Sequence, residues 1–201
     1  MKPSNVLILP GWQNSGPEHW QSRWERVWGF QRVEQHDWER PLRGDWIARL
    51  EDVLLGCDEP AVLVAHSLGC IHVAAWAAHS RHTHLVKAAL LVAAPDVERD
   101  DLRTILPSWS PVPLQRLPFN TLQLASTDDP FCSSARAQVF AAAWGAEWSE
   151  VGAHGHLNTE SALGDWPPGF AHLQRLLRLD VPAPATPGSP SRDLSHHIQK
   201  N

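Results

Sequence analysis

Short apolar runs alternate with amphipathic segments along most of the chain. Runs of four to eight apolar residues, several rich in β-branched side chains, are typical of strands that are buried on both faces. Between these runs, apolar residues recur every three or four positions, which is the spacing of a helix that buries one face. Strands are predicted at 6–9, 30–34, 61–65, 85–92, 121–125 and 147–151. Helices are predicted at 17–28, 45–55 with Asp45 as its cap, 71–78, 135–144 and 170–179.

This alternation predicts an α/β protein, a three-layer sandwich with a mainly parallel central sheet. In such sheets the functional site lies at the carboxyl ends of the strands. The proline-rich segment 95–118 is predicted to pass over the sheet edge with at most a short helix, which makes it a candidate lid. We expect a single domain at 1–180, followed by a Pro-, Ser- and His-containing tail at 181–201 that is disordered.

The segment around residue 67 has the pattern expected of a nucleophile. It reads Ala65-His66-Ser67-Leu68-Gly69 between a predicted strand and a predicted helix. This matches the G-x-S-x-G nucleophile elbow, with Ala in place of the first Gly. Small flanking residues are needed because the turn is tight. Ser67 is therefore the predicted nucleophile, the Leu68 N–H a predicted oxyanion donor, and His66 a residue that supports the elbow and borders the substrate pocket.

A serine hydroxyl needs a histidine to accept its proton and an acid to orient that histidine. Asp128 and Asp129 follow the predicted strand 121–125, and we favour Asp129 because the next residue is a proline that fixes a turn. His154 and His156 follow the predicted strand 147–151. We favour His156, which comes after a glycine that permits close approach of the backbone. The predicted triad is Ser67, Asp129 and His156.

The loop 10–16 follows the first predicted strand, where the second oxyanion donor of such enzymes lies. We favour the Trp12 N–H for this role, with the Gln13 N–H as the alternative. Trp12 and Trp109 are candidates to line an apolar acyl pocket. Gln13, Asn14 and His66 are the other predicted pocket residues beside Trp109.

Composition and charge exclude several other classes. The chain of 201 residues carries a formal net charge of −5, which argues against nucleic acid as a partner. No apolar run approaches the length that spans a bilayer, and the N-terminus has no signal-peptide pattern, so we expect a cytoplasmic protein without a membrane partner. The three cysteines have no metal-ligand spacing and are expected to be reduced.

Paired histidines suggest a metal site as an alternative. His82, His84, His154 and His156 have spacings that suggest a metal site, but no Cys or acidic pattern accompanies them. We therefore expect no metal and no cofactor.

Four motifs in order resemble one family. They are the segments 9–20, 64–69, 126–131 and 155–158, the last followed by 164–167. Together they are similar to the small serine hydrolases related to YdeN and to retinoblastoma-binding protein nine, over residues 5–178. The resemblance implies an α/β-hydrolase fold with minimal or no cap, no cofactor, and a triad at Ser67, Asp129 and His156. It does not imply a substrate.

The expected activity is cleavage of a small ester, thioester or amide through an acyl-enzyme, without a metal. The alternative is a catalytically weak protein that keeps the hydrolase fold and acts as a protein-binding module. A small acyl substrate is the expected partner, and a protein partner is left open.

Overall fold

A six-stranded parallel sheet organises the chain, in a computed structural model that describes residues 5–178. The strands lie in the order β2-β1-β3-β4-β5-β6, and every neighbouring pair is parallel. Their bounds are β1 (Val6–Leu9), β2 (Gln31–Arg32), β3 (Ala61–His66), β4 (Val86–Val92), β5 (Asn120–Ala125) and β6 (Glu147–Glu150). The predicted parallel α/β architecture is confirmed.

Helices cover both faces of this sheet. They are α1 (Trp20–Trp28), α2 (Arg43–Leu55), α3 (Leu68–His79), α4 (Asp100–Ile105), α5 (Ser134–Trp144) and α6 (Pro167–Arg178). Buried residues of α1 and α6 form one apolar core with the sheet, and those of α2, α3 and α5 form the other. Single 3₁₀ turns lie at Thr83–Leu85, Pro107–Trp109 and Thr159–Ser161. The chain therefore forms three layers.

The central strands are mainly apolar because successive side chains enter different cores. In β3, Val62 and Val64 point to the α1/α6 side, whereas Leu63 and Ala65 point to the side of α2, α3 and α5. All six residues of β3 are buried. The side chain of His66, at the end of β3, falls by this alternation on the α1/α6 side.

The order of the strands places a crevice between β1 and β3. The chain moves from β1 outward to β2, and then returns to the other side of β1 to form β3. The connections that follow β1 and β3 therefore leave towards opposite faces of the sheet, with α1 on one face and α3 on the other. Ligand sites of open parallel sheets lie at such switch points, outside the carboxyl ends of the strands.

Four predicted helix starts are wrong: α3 begins at Leu68 and α6 at Pro167, each before its predicted start, and α1 and α2 also begin elsewhere. At α1 and α2, another side chain occupies the terminus. Helix α2 begins at Arg43, and its first N–H donates to Ser108 Oγ at 3.2 Å, so Asp45 lies in the first turn and is not the cap. Helix α1 begins at Trp20, three residues after the predicted start. The ring of His19 serves as its cap, since Nδ1 accepts from the Gln21 N–H at 3.1 Å.

Further findings concern β2 and the segment 95–118. The predicted strand 30–34 is reduced to the two residues of β2. The segment 95–118 holds the six-residue helix α4 and one 3₁₀ turn, as its prolines predicted. In the part of the chain that the structure describes, no helix is both long and apolar enough to cross a membrane. The prediction for 181–201 lies outside the described residues.

Candidate active site

Ser67 sits at the apex of a strained turn between β3 and α3. Its backbone has φ 54° and ψ −127°, in the region that non-glycine residues rarely adopt. Such a conformation costs about 1–3 kcal/mol and persists only where its surroundings impose it. Here the Ser67 N–H donates to Val92 O at 2.9 Å, and the Cys70 N–H donates to Ser67 O at 2.8 Å. These bonds hold the elbow between the end of β4 and the first turn of α3.

Two glycines let the neighbouring backbone approach this turn. A Cβ on Gly69 would lie 2.3 Å from Leu9 O, so α3 starts in contact with the end of β1. A Cβ on Gly11 would lie 2.7 Å from Ser67 Cβ. Ala65 is tolerated in place of the usual glycine because its methyl points into the core of the α2/α3/α5 face, where it is buried.

The predicted triad residues form one hydrogen-bonded chain. His156 Nε2 lies 2.8 Å from Ser67 Oγ, and His156 Nδ1 lies 3.0 Å from each carboxylate oxygen of Asp129. A carboxylate can only accept, so Nδ1 carries the hydrogen and Nε2 accepts from the Ser67 hydroxyl. The His156 side chain is 9% exposed and that of Asp129 is 3% exposed. Water is thus largely excluded from the imidazole–carboxylate pair.

Asp128, the alternative acid, faces a different set of groups. Its Oδ1 accepts from Ser126 Oγ at 2.7 Å and from the Gly155 N–H at 2.8 Å, and these bonds lower the pKa of the Asp128 carboxyl. Ser126 Oγ also accepts from the His154 N–H at 2.9 Å. Asp128 therefore ties the loop after β5 to the loop that carries His156, and the geometry favours Asp129 and His156 over their neighbours.

The backbone on each side of His156 has a positive φ, which is strained at Leu157 but not at Gly155, and it is held by other elements. Gly155 and Leu157 have φ values of 56° and 51°. The carbonyl of His156 accepts from His66 Nε2 at 2.9 Å, and the carbonyl of Leu157 accepts from Trp20 Nε1 at 2.9 Å. Side chains from β3 and α1 thus fix two successive carbonyls of the loop that carries the base.

His66 and His19 are buried behind His156 and remain neutral. Burial is the main cause that lowers the pKa of His66 well below its ordinary value, and the nearby His19 and His156 add to it. Burial, followed by the charge of Arg32, lowers the pKa of His19 to about 3. Neither ring therefore places a positive charge next to His156 at neutral pH, so neither opposes formation of an imidazolium there.

His19 also lies beside the site, although the sequence did not predict a role for it there. Its ring centroid lies 4.7 Å from that of His66. Since Nδ1 accepts from a backbone N–H, the hydrogen is on Nε2, which has no partner among the described residues. The sequence feature that could have indicated this role is the position of His19 near the end of the motif 9–20, directly before the first buried tryptophan of α1.

The two residues predicted to supply the oxyanion donors both lie at the Ser67 cavity. Leu68 is the first residue of α3, and the N–H of a first helical residue has no acceptor within its own helix. Leu68 and Trp12 both line the cavity that opens on Ser67. The Gln13 N–H, the alternative, already donates to Trp38 O at 3.0 Å. The structure therefore favours Trp12 over Gln13.

The cavity at Ser67 has a volume of about 390 Å³. The predicted pocket residues Gln13, Asn14 and His66 line it. Asn14 also holds its own loop, because its Oδ1 accepts from the Ser15 N–H at 2.8 Å and from Arg32 at 2.7 Å. An apolar wall comes from Pro95, Leu102, Leu106 and Phe131.

The prediction for Trp109 is wrong. Its side chain is 0% exposed, packs on Trp46 with ring centroids 5.3 Å apart, and donates from Nε1 to Pro41 O at 2.8 Å. Trp109 is absent from the lining of the Ser67 cavity. Burial of a large ring with its N–H satisfied is favourable, so the segment 95–118 turns this tryptophan inward and presents leucines to the cavity.

The structure does not assemble the alternative metal site. His82 Nδ1 lies 2.5 Å from a Glu51 carboxylate oxygen, whereas His156 is engaged with Ser67 and Asp129. Within residues 5–178, no group of three or more His, Cys, Asp or Glu side chains is arranged to hold a metal ion.

Comparison with known proteins agrees with this architecture. The model of a serine hydrolase family matches residues 6–175. A crystal structure of a putative YdeN-like hydrolase from Pectobacterium atrosepticum is 30% identical, covers 89% of this chain and 92% of its own, and superposes with a TM-score of 0.78.

Two more distant structures share the fold. The ydeN gene product of B. subtilis is 20% identical, with 87% of this chain and 99% of that chain covered and a TM-score of 0.69. The esterase RhEst1 from Rhodococcus sp. is 14% identical, with 88% and 90% covered and a TM-score of 0.61. A search of curated proteins finds no significant match.

Proposed function

The chain belongs to the serine hydrolase family, and on that premise we propose that it cleaves a small ester, thioester or amide through a Ser-His-Asp triad and an acyl-enzyme. The observation that carries the proposal is the continuous chain of hydrogen bonds from Asp129 through His156 to Ser67 at the edge of an open cavity.

In this mechanism Ser67 Oγ attacks the substrate carbonyl while its proton passes to His156 Nε2. Asp129 holds the imidazole in the required tautomer and stabilises the imidazolium. The N–H groups of Leu68 and Trp12 donate to the oxyanion. When the intermediate collapses, His156 gives the proton to the leaving group, and a water then releases the acid by the same steps.

The size and lining of the cavity support a small acyl group. Its volume of about 390 Å³ is at the lower end of the range of ligand pockets, which runs from about 300 to 1,000 Å³. Its apolar wall favours burial of hydrocarbon, and its polar groups lie beside Ser67. A panel of p-nitrophenyl esters should therefore show higher kcat/KM for short acyl chains than for long ones.

We also propose that the protein works in the cytoplasm. Cys57, Cys70 and Cys132 are all free thiols, which suits a reducing compartment.

The decisive test is Ser67→Ala. We expect it to abolish labelling by a fluorophosphonate probe and to lower kcat by roughly 10⁴-fold or more, as loss of a triad nucleophile does. Ser134→Ala, at the first residue of α5 and outside the Ser67 cavity, is the matched control and should label like the wild type. Labelling that persists in Ser67→Ala would place the nucleophile elsewhere. A folded wild-type protein that labels with no serine-directed probe would favour a binding module.

A further inference from the structure

A second cavity of about 400 Å³ lies beyond His156. It shares Phe131, His156, Asn158 and Glu160 with the Ser67 cavity, but Ser67 does not line it. The ring centroid of Phe131 lies 4.6 Å from that of His156, with the two planes at 72°. These two rings therefore form the boundary between an inner cavity at the nucleophile and an outer cavity behind the base.

The chemistry of acyl transfer assigns different parts of a substrate to these two spaces. Ser67 Oγ forms a bond to the carbonyl carbon, and the bond from that carbon to the leaving oxygen or nitrogen breaks, with its electron pair going to the leaving atom. That atom takes the former serine proton from His156 Nε2. The leaving group must therefore lie on the His156 side of the carbonyl, where the outer cavity begins.

The outer cavity has a negatively charged side chain in its lining and no Lys or Arg. Glu160 is the one acidic side chain among the described residues that line either cavity, and no Lys or Arg lines them. Its N–H donates to Asn158 Oδ1 at 3.0 Å, which holds the residue at the start of the 3₁₀ turn. This bond uses the Glu160 backbone, and no described residue forms a hydrogen bond or an ion pair with its carboxylate. The ring of Phe131, which is 36% exposed, faces the same space.

We propose that the outer cavity is the leaving-group subsite, and that it prefers an alcohol or amine that carries a positively charged ammonium group. Glu160 supplies the opposite charge, and Phe131 supplies an aromatic ring, which attracts cations through its quadrupole. This proposal rests on the proposed hydrolase function, because only an acyl transfer gives the two cavities different occupants.

Two esters that share shape and acyl group test the subsite. Acetylcholine and 3,3-dimethylbutyl acetate differ in the charge of the leaving group. We expect wild-type kcat/KM to be higher for acetylcholine. Glu160→Gln should lower that value about fivefold, the effect of one charge pair in an aqueous setting, and leave the neutral ester within about twofold. Phe131→Leu should likewise affect the choline ester more than the neutral one.

The control is Glu34→Gln, which removes the same charge from an exposed position outside both cavities. Glu34→Gln should leave kcat/KM unchanged for both esters. This result would separate a local contact of Glu160 from an effect of net charge. Equal losses for both esters in Glu160→Gln, or no loss for either, would overturn the subsite.

A second readout separates this proposal from the proposed function. Choline should slow fluorophosphonate labelling of the wild type more than 3,3-dimethylbutanol does, and Glu160→Gln should remove the difference. Labelling that depends on Ser67 but responds equally to both alcohols would keep the hydrolase and reject the subsite. A folded protein that neither labels nor hydrolyses either ester would reject both.

Discussion

Two regions of the molecule meet at the candidate site, and they hold their residues by different means. On the β1/β3 side, Ser67 is positioned by close packing, with Gly69 and Gly11 leaving room for backbone and side-chain atoms that a Cβ would displace. On the β5/β6 side, hydrogen bonds position the loop that carries His156. The Gly155 N–H donates to Asp128 and the His154 N–H donates to Ser126 Oγ. His66 donates to the His156 carbonyl. The nucleophile is thus placed by shape and the base by polar contacts.

This difference predicts how each region fails. Packing against backbone atoms cannot relax without moving a strand or a helix, so an added methyl group there displaces the nucleophile. A hydrogen-bonded loop can lose one bond and keep part of its geometry through the others. Substitutions on the β5/β6 side should therefore lower kcat only in part, except at residues that contact the imidazole ring itself.

The largest difference in kcat is expected between two substitutions in the β5/β6 region. Asp129→Asn should lower kcat by about 10⁴-fold, because an amide can donate to Nδ1 and so favours the wrong tautomer. Asp128→Asn keeps an acceptor for Ser126 and Gly155 and should cost about tenfold or less. Steady-state hydrolysis of p-nitrophenyl acetate measures both. Equal losses would mean that Asp128 and Asp129 share the orienting role.

A smaller loss is expected when the packed region is overfilled. In Gly11→Ala the new methyl would lie 2.7 Å from Ser67 Cβ, so the serine or its facing loop must move. A displacement near 1 Å costs about 100-fold in rate. Gly16→Ala adds a methyl to the same loop with no atom within 4 Å, and is expected to stay within about twofold. If the two variants had equal kcat/KM, close packing would not be what places the nucleophile.

The smallest of these effects concerns the bond that joins the two regions. His66→Leu leaves the His156 carbonyl without its donor, and an unsatisfied buried group costs about 1–3 kcal/mol. At the lower end of that range, about 1.4 kcal/mol, the expected loss in kcat is about tenfold. His66→Gln keeps a donor at the same reach and should recover most of the loss. Since burial lowers the pKa of His66 and keeps it neutral, the pH–rate profile of the Gln variant should match the wild type.

Thermal unfolding of each variant shows whether it is folded. Equal activity of the Gln and Leu variants at position 66 would assign His66 to packing alone.

The contrast between the regions also explains what could be predicted. Small residues around a serine are a local pattern, so the segment 65–69 was recognised directly, and the order of strands placed Asp129 and His156 at the same edge. The roles of Asp128 and His19 were missed because their partners lie elsewhere in the chain. The Gly155 N–H, for example, is 27 residues from Asp128.

By itself, the sequence determined the alternation of strands and helices, the parallel sheet and the elbow, because each depends on spacings of two to four residues. Only the tertiary structure decided that Trp109 is buried on Trp46, that Ser108 occupies the start of α2, and that His66 holds the carbonyl of a residue 90 positions away. Such contacts depend on how the layers pack, and residue spacing along the chain carries no record of that packing.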